Sequence, residues 1–300
     1  MLLHVLCFTK PETMQASTKT ALDLLANAAS NQGHELRIVC DHDCQMKFDG
    51  SAGLVIKGHR VEDIAVVFVR ANLSGMKLMF RRTLIRQLEL AGIKVVNKEE
   101  AVMNAKNKLR NLQVLTEHNI PVPKTYVINN TLDLDQALKD MGRFPVILKS
   151  PSGSQGKGVA IIESKRGLKS VIDMFDPSNP LIIQKYVKES KGKDLRVFIV
   201  GNRIVGAMER ITTTRGEFRS NFHLGGRVSI AHLSDDEKTL AIAATKACGL
   251  DVAGVDILRT KEGPKVIEVN ANPGLEGITQ ATGMDIAGEI IRFMVEVYGR

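Results

Sequence analysis

Tryptophan is absent from this 300-residue chain, and there are only three tyrosines and ten phenylalanines. So few flat rings argue against a protein that binds single-stranded nucleic acid on stacking platforms. Cysteine is scarce as well, and the four present, at 7, 40, 44 and 248, do not form a disulfide framework. A reduced, cytoplasmic protein is therefore expected. Cys40-Asp-His-Asp-Cys44 looks superficially like a metal site, but no second ligand pair accompanies it and zinc is not expected there. No stretch approaches the ~18 apolar residues of a membrane helix. The apolar opening Met1 to Phe8 lacks a basic flank and runs into Lys10 and Pro11, which argues against a signal peptide. There is no internal repeat and no low-complexity tract. Nor does a Gly-rich turn follow the first strand, where the chain reads Thr9-Lys10-Pro11, so a dinucleotide site is not expected there.

What is present is an ordinary globular composition, 44% hydrophobic and 25% charged. Lys and Arg exceed Asp and Glu by 41 to 33, a formal +8. That balance favours polyanionic or acidic partners, and equally well keeps a surface soluble.

Apolar periodicity predicts strands at Leu2 to Phe8, Glu35 to Cys40, Ile64 to Val69 and Ile93 to Val96, with helices at Met14 to Asn31 and Met76 to Leu90. This order argues a parallel-type α/β unit over roughly the first 95 residues. A single helix is predicted over Lys98 to Asn119, stopped by Ile120-Pro121-Val122-Pro123. An α+β unit follows: strands Lys124 to Ile128, Pro145 to Lys149, Val159 to Ile162 and Leu181 to Val187, with helices Leu132 to Met141 and Arg166 to Phe175. The last unit begins with a hairpin, Leu195 to Val200 and Arg203 to Glu209, turning at Gly201-Asn202. A polar stretch from Thr212 to Gly226 precedes a strand near Val228 to Ala231. Ser234 with Glu237 reads as a capping box opening a helix to Cys248, and Met284 to Tyr298 reads as a closing amphipathic helix.

Between those helices lies the most informative stretch, Val252 to Gly274. It reads as two strands, Ala253 to Arg259 and Lys265 to Asn270, joined at Gly263-Pro264. Pairing Arg259 with Lys265 sets Asp256 opposite Glu268, with Asn270 on the same face and Val255, Ile257, Ile267 and Val269 on the other. Opposed carboxylates repel, and a cation between them reverses that cost. An all-oxygen set of Asp256, Glu268 and Asn270 suits Mg²⁺ or Mn²⁺.

Ser152-Gly-Ser-Gln-Gly-Lys-Gly158 joins two strands and lacks a Walker ending. Its glycines suit a flap whose backbone N–H groups close over phosphate oxygens. Lys149, ending the apolar strand beside it, is placed to meet a phosphate. Lys108, in Asn104-Ala-Lys-Asn-Lys-Leu109, reads on spacing alone as part of a solvated helix face. Gln184, Lys185, Tyr186 and Val187 end a strand where backbone groups could hold a base. Arg219, Ser220 and Asn221, with His223, fall in the irregular stretch, and no catalytic base is assigned to His223.

Taken together, Lys149, the loop Gly153 to Gly158, Gln184, Asp194, Arg219-Ser-Asn221, Gly254-Val-Asp256 and Glu268-Val-Asn270-Ala-Asn-Pro-Gly274 resemble the ATP-grasp superfamily, and within it the RimK-type glutamate ligases. The resemblance spans about Asn97 to Gly288, and Phe218 to Gly226 is its most specific part. It implies an ATP-grasp fold: a pre-ATP-grasp parallel α/β domain (1–97) and two α+β lobes clasping ATP (98–187 and 188–300). It also implies that Asp256, Glu268 and Asn270 hold two Mg²⁺ (or Mn²⁺) ions and that Lys108 and Lys149 contact phosphates. The flap residues Gly153, Ser154, Gln155, Gly156 and Gly158 would cover the phosphates, while Gln184, Lys185, Tyr186 and Val187 would line the adenine pocket. Asp194 would meet the ribose region, and Arg219, Ser220 and Asn221 would lie near the transferred phosphate, with Arg219 and Asn221 as candidate catalytic residues. Two positions depart from the pattern: Lys185 stands where relatives often carry an acid, and Asn107 precedes Lys108 where Asp is usual.

The activity so implied is ATP-dependent ligation of L-glutamate to a carboxylate, on an acidic peptide tail or a ribosomal protein. The alternatives are the same chemistry on a small-molecule acceptor, and an ATP-binding regulator that has lost ligation. A homo-oligomer is expected, with neither a membrane nor a stable nucleic-acid partner.

Overall fold

The computed structural model describes residues 1–8, 14–48, 52–57, 59–60, 64–70, 73, 77–129, 134–151, 158–172, 180–190, 192–213 and 226–298. Its first sheet is built from β1 (Leu2–Cys7), β2 (Glu35–Cys40), β6 (Val66–Val69) and β7 (Lys94–Val96), all parallel, in the order β2-β1-β6-β7. Strands this apolar must be covered on both faces. Helix α1 (Ala16–Asn31) covers one with Ala21, Leu22, Leu25, Ala28 and Ala29, and α2 (Leu78–Leu90) the other with Leu84, Ile85 and Leu88.

Between β2 and β6 the chain forms three strands that periodicity does not reveal. These are β3 (Cys44–Phe48), β4 (Ala52–Ile56) and β5 (His59–Arg60), a small antiparallel sheet. The physical reason is that β3 is half exposed, so it carries no sustained apolar signal.

The predicted helix over 98–119 is two helices, α3 (Glu99–Lys106) and α4 (Lys108–Glu117). Asn107 breaks it: its backbone is extended at φ −84 and ψ 111, and its side-chain oxygen accepts from the Leu109 and Arg110 N–H groups. Asn is among the best N-caps, so Asn107 satisfies α4 without the carboxylate the family pattern would supply.

A second sheet, wholly antiparallel, contains β8 (Thr125–Ile128), β9 (Val146–Lys149), β10 (Val159–Ile162) and β11 (Leu181–Lys185), ordered β10-β9-β11-β8. With α5 (Leu134–Met141) and α6 (Lys165–Ile172) it encloses its own core of Leu134, Met141, Leu148, Leu168 and Ile183.

The third sheet is antiparallel as well: β12 (Lys193–Val200), β13 (Arg203–Ile211), β14 (Arg227–Ile230), β15 (Val252–Leu258) and β16 (Lys265–Asn270), in the order β14-β13-β12-β15-β16. Helix α7 (Asp235–Ala247) opens with the expected reciprocal Ser234–Glu237 capping box and buries Leu240, Ala241 and Ala244 against Val197, Val255 and Ile257. Two helices close the chain, α8 (Glu276–Thr282), which the sequence pattern did not disclose, and α9 (Ile286–Tyr298).

The first and third sheets share one core. Leu3, Val5 and Phe68 of the former join Phe198 and Val252 of the latter and Ile290 and Met294 of α9. Asn97, just past β7 and 1% exposed, ties them with polar bonds. Its Nδ2 donates to the Val252 and Ala271 carbonyls at 2.8 and 3.0 Å, and its Oδ1 accepts from the Asp251 and Val252 N–H groups at 2.8 and 2.9 Å. No described helix is long and apolar enough to cross a membrane.

Candidate active site

The β15–β16 hairpin places Asp256 opposite Glu268, as expected, with Asn270 opposite Gly254. Past Asp256 the register slips by one residue, so that Ile257 pairs with Val266 and Leu258 with Lys265. The bulge corrects the sequence reading on one side chain: Val266 enters the core at 0% exposure, and Ile267 is left half-buried.

Glu268 and Asn270 face the same way, the Asn270 amide donating to Glu268 Oε1 at 3.1 Å. Asp256 also has protein counter-charges. Arg196, directly opposite on β12, grips both its oxygens at 2.7 Å, and Arg210 on β13 adds a bond to Oδ2 at 2.8 Å. Burial alone would raise the Asp256 carboxyl, but the two guanidinium groups outweigh it and hold it below the ordinary carboxylate range. Asp194 completes the chain, its Oδ1 accepting from Arg210 Nε at 2.6 Å. Arg210, lying between two acids, is pushed above its usual pKa despite the opposing effect of burial. Sequence reasoning missed Arg196 and Arg210. The signal that could have found them is register, since β12 runs directly beside β15.

The lysines come from the second sheet and its leading helix. Lys149 ends β9, half-buried, and donates to Gln184 Oε1 at 2.7 Å. The Gln184 amide in turn donates to Thr125 Oγ1 at 2.8 Å, so buried Gln184 orients the lysine. Burial pulls Lys149 down to about 8, with Glu268 opposing, Lys108 reinforcing and Asp256 opposing that fall. Lys108 is the first residue of α4 and donates to the Ser150 carbonyl at 3.3 Å, which replaces the solvated-face reading with a half-buried one. Its pKa is lowered chiefly by burial, against the attraction of Glu268 and with repulsion from Lys106. Lys106 is lowered by burial and held up by Glu268 in the same way. Glu268 is thus the carboxylate that all three lysines sense.

Lys185 is exposed, and its N–H donates to the Lys124 carbonyl at 2.8 Å, so that N–H is not the group that would hold a base. Tyr186 and Val187 follow β11 as half-buried residues. Gly158 accepts from the Ser150 N–H at 2.8 Å and has φ +71, a conformation that glycine adopts without strain. Gly153, Ser154, Gln155, Gly156, Arg219, Ser220, Asn221 and His223 lie outside the described residues.

The donor chemistry fits a hard divalent cation held against a polyphosphate. Asp256, Glu268 and Asn270 offer only oxygen, and among the described residues no cationic side chain forms an ion pair with Glu268. Three of the roughly four lone-pair sites on Asp256 are engaged by arginine, leaving room for one more partner. Elsewhere among the described residues, Cys40, His42 and Asp43 bring ligand atoms within 4.8 Å of one another. Asp43 Oδ2 there accepts from the Cys40 N–H at 3.1 Å and lies 3.7 Å from Lys57 Nζ.

Comparison with known proteins accords with this geometry. The family model described as the RimK-like ATP-grasp domain matches residues 105–294, and that of the RimK PreATP-grasp domain matches residues 14–102. The chain is 41% identical over 273 residues to a ribosomal protein bS6–L-glutamate ligase of Salmonella paratyphi B, covering 90% of each chain. It is 38% identical over 272 residues to a probable alpha-L-glutamate ligase of Picosynechococcus sp., covering 90% of this chain and 89% of that one. Among solved structures, the ATP-grasp ligase PsnB with a precursor peptide and AMPPNP shares the fold with a TM-score of 0.74 at 20% identity, over 98% of this chain and 96% of that one. D-alanine–D-alanine ligase from Bacillus anthracis with ATP does so with a TM-score of 0.71 at 19% identity, over 100% and 97%. The chain belongs to the RimK-like ATP-grasp family, a family of ligases that use ATP and Mg²⁺, and is itself an ATP-dependent amino-acid ligase.

Proposed function

We propose that this ligase adds L-glutamate to the C-terminal carboxylate of a peptide or protein tail, a ribosomal protein in the first instance; its 41% identical relative is named a ribosomal protein bS6–L-glutamate ligase and its 38% identical relative a probable alpha-L-glutamate ligase. The observation that carries the chemistry is the convergence of Lys108, from α4, and Lys149, from the second sheet, on the Glu268 carboxylate of the third. A cluster of lysines facing acids suits a triphosphate bound with metal, because each charge then meets an opposite one.

In this reading Asp256, Glu268 and Asn270 hold two Mg²⁺ ions, which neutralise phosphate charge when bound. Lys108 and Lys149 bind phosphate oxygens, Lys149 being aimed by Gln184. The strand end Gln184 to Val187 lines the base pocket, with Asp194 towards the ribose. The segment Gly153 to Gly158 covers the phosphates, and Arg219, Ser220 and Asn221 stand near the transferred group. An acceptor carboxylate oxygen takes the γ-phosphoryl group from ATP, releasing ADP. The glutamate amine then attacks the activated carbonyl carbon, and phosphate leaves as the peptide bond forms. Catalysis on these terms needs position and charge, with no covalent nucleophile from the protein.

Mass spectrometry of a peptide with an acidic tail, incubated with the enzyme, ATP, Mg²⁺ and L-glutamate, should show increments of one glutamate residue. ADP formed only with a free small carboxylate, and never with any peptide, would reject the tail-modifying reading.

A further inference from the structure

Two arginines are buried among the described residues, and their surroundings differ. Arg210 lies between Asp194 and Asp256, whereas Arg70, 8% exposed, pairs with no described carboxylate. Its Nη1 donates to the Pro273 carbonyl at 2.8 Å, and the Phe68 ring lies 6.0 Å from the guanidinium carbon. A buried cation without a counter-charge is costly, and the guanidinium keeps further N–H donors in a fork shaped for a carboxylate.

Its location is informative independently. Arg70 extends the carboxyl end of β6, its N–H bonded to the Leu6 carbonyl of β1. The chain runs from β1 outward to β2, then returns across β1 to β6 and β7, so the strand order reverses between β1 and β6. Open parallel sheets bind ligands outside the carboxyl ends of their strands at such a reversal. Here that edge abuts the candidate active site. Pro273, which Arg70 holds, follows Asn270 by three residues and packs on Gly254, where an added Cβ would lie 2.8 Å from the Pro273 Cβ and 3.7 Å from the Arg196 side chain.

We propose that the carboxyl end of β6, beside β1, forms part of a substrate subsite in which Arg70 binds a carboxylate. That carboxylate belongs either to the incoming amino acid or to the acceptor tail. The proposal rests on the glutamate-ligase reading for the identity of the substrates, and on the geometry alone for the chemistry they share.

The test compares wild type with Arg70→Met and Arg70→Lys. KM for ATP, L-glutamate and an acidic acceptor peptide is measured, alongside calorimetric binding of L-glutamate and the peptide. Loss of a charge-assisted carboxylate contact weakens one of the two carboxylate substrates by about 10–100-fold, with KM for ATP changed less than about twofold. A rise for glutamate alone assigns the subsite to the amino acid, and a rise for the peptide alone assigns it to the acceptor. If Arg70→Met does not fold, Arg70→Lys decides, because it keeps the charge and loses the fork; about a tenfold weakening is then expected. Unchanged values for both carboxylate substrates, or a uniform loss that includes ATP and tracks a fall in melting temperature, would overturn the subsite and leave Arg70 as a brace for the Pro273 loop. A wild type that forms ADP with other amino acids but not with glutamate refutes the glutamate reading alone. Calorimetry with the amino acid actually used then judges Arg70, and binding independent of Arg70 overturns the subsite.

Discussion

Glu268 and Asp256 stand opposite each other, yet substitution should separate them. Asp256 is the counter-charge of Arg196 and of buried Arg210, so Asp256→Asn leaves those cations short of an acid and lowers stability as well as activity. Glu268 has no ion pair among the described residues, which makes Glu268→Gln the cleaner probe. ADP formation should fall by about 10²–10³ in Glu268→Gln with little change in melting temperature, whereas Asp256→Asn should lose both. Turnover of Glu268→Gln at the wild-type rate would remove it from the metal site. Lys149 gives a pH dependence of definite sign. Its folded-state pKa of about 8 lies below the 10.5 of an unfolded lysine, so between those values the unfolded chain holds the extra proton. The contribution of this group to stability is therefore least favourable below pH 8 and improves as pH rises towards 10.5. Phosphate binding runs the opposite way, because it needs the charged form. Nucleotide affinity measured by calorimetry should fall as pH passes about 8, and Lys149→Arg should flatten that profile.

At the level of elements, the hairpin is held from behind. Asn97 bonds Val252 at the start of β15 and Ala271 just past β16, fixing both strands, at the open end of the acid-bearing ladder, to the end of the parallel sheet. Asn97→Ala would leave two N–H donors and two carbonyls in the interior unpaired, at a cost of about 3–5 kcal/mol, read as a lower urea midpoint. A change under about 1 kcal/mol would show that these groups find other partners. The hairpin itself was largely legible in the sequence: alternation of Asp256, Glu268 and Asn270 with valine and isoleucine required one polar and one apolar face. The bulge after Asp256 was not legible, since an extra residue leaves the hydrophobic pattern of Lys265 to Asn270 almost unchanged. The same limit applies to the break at Asn107, where the apolar spacing of α3 and α4 continues across a residue whose side chain prefers a cap.

For the whole molecule, the formal charge of +8 bears on encounter more than on fold. If the acceptor is an acidic tail, raising ionic strength from about 50 to 300 mM should raise KM for that peptide several-fold, through screening of the long-range attraction. KM for a neutral-tailed peptide should stay flat, and an equal response of both peptides would detach the net charge from acceptor choice. The shared core that joins the first and third sheets, with Asn97 and Arg70 as its polar ties, fastens the N-terminal sheet to the sheet that carries the acid-bearing hairpin.

By itself the sequence determined the order of helices and strands, the oxygen-rich hairpin, the glycine-rich connection after Lys149 and the family to which these belong. Each of these is local, set by alternation, capping or spacing within a few residues. Only the tertiary structure decided which charges meet. Arg196 and Arg210 reach Asp256 across neighbouring strands from 60 and 46 residues away, Lys149 senses Glu268 from another sheet, and Arg70 bonds Pro273 across 203 residues. Nothing in the periodicity of one segment records the register or docking of another, and the electrostatics of this site are fixed by register and docking.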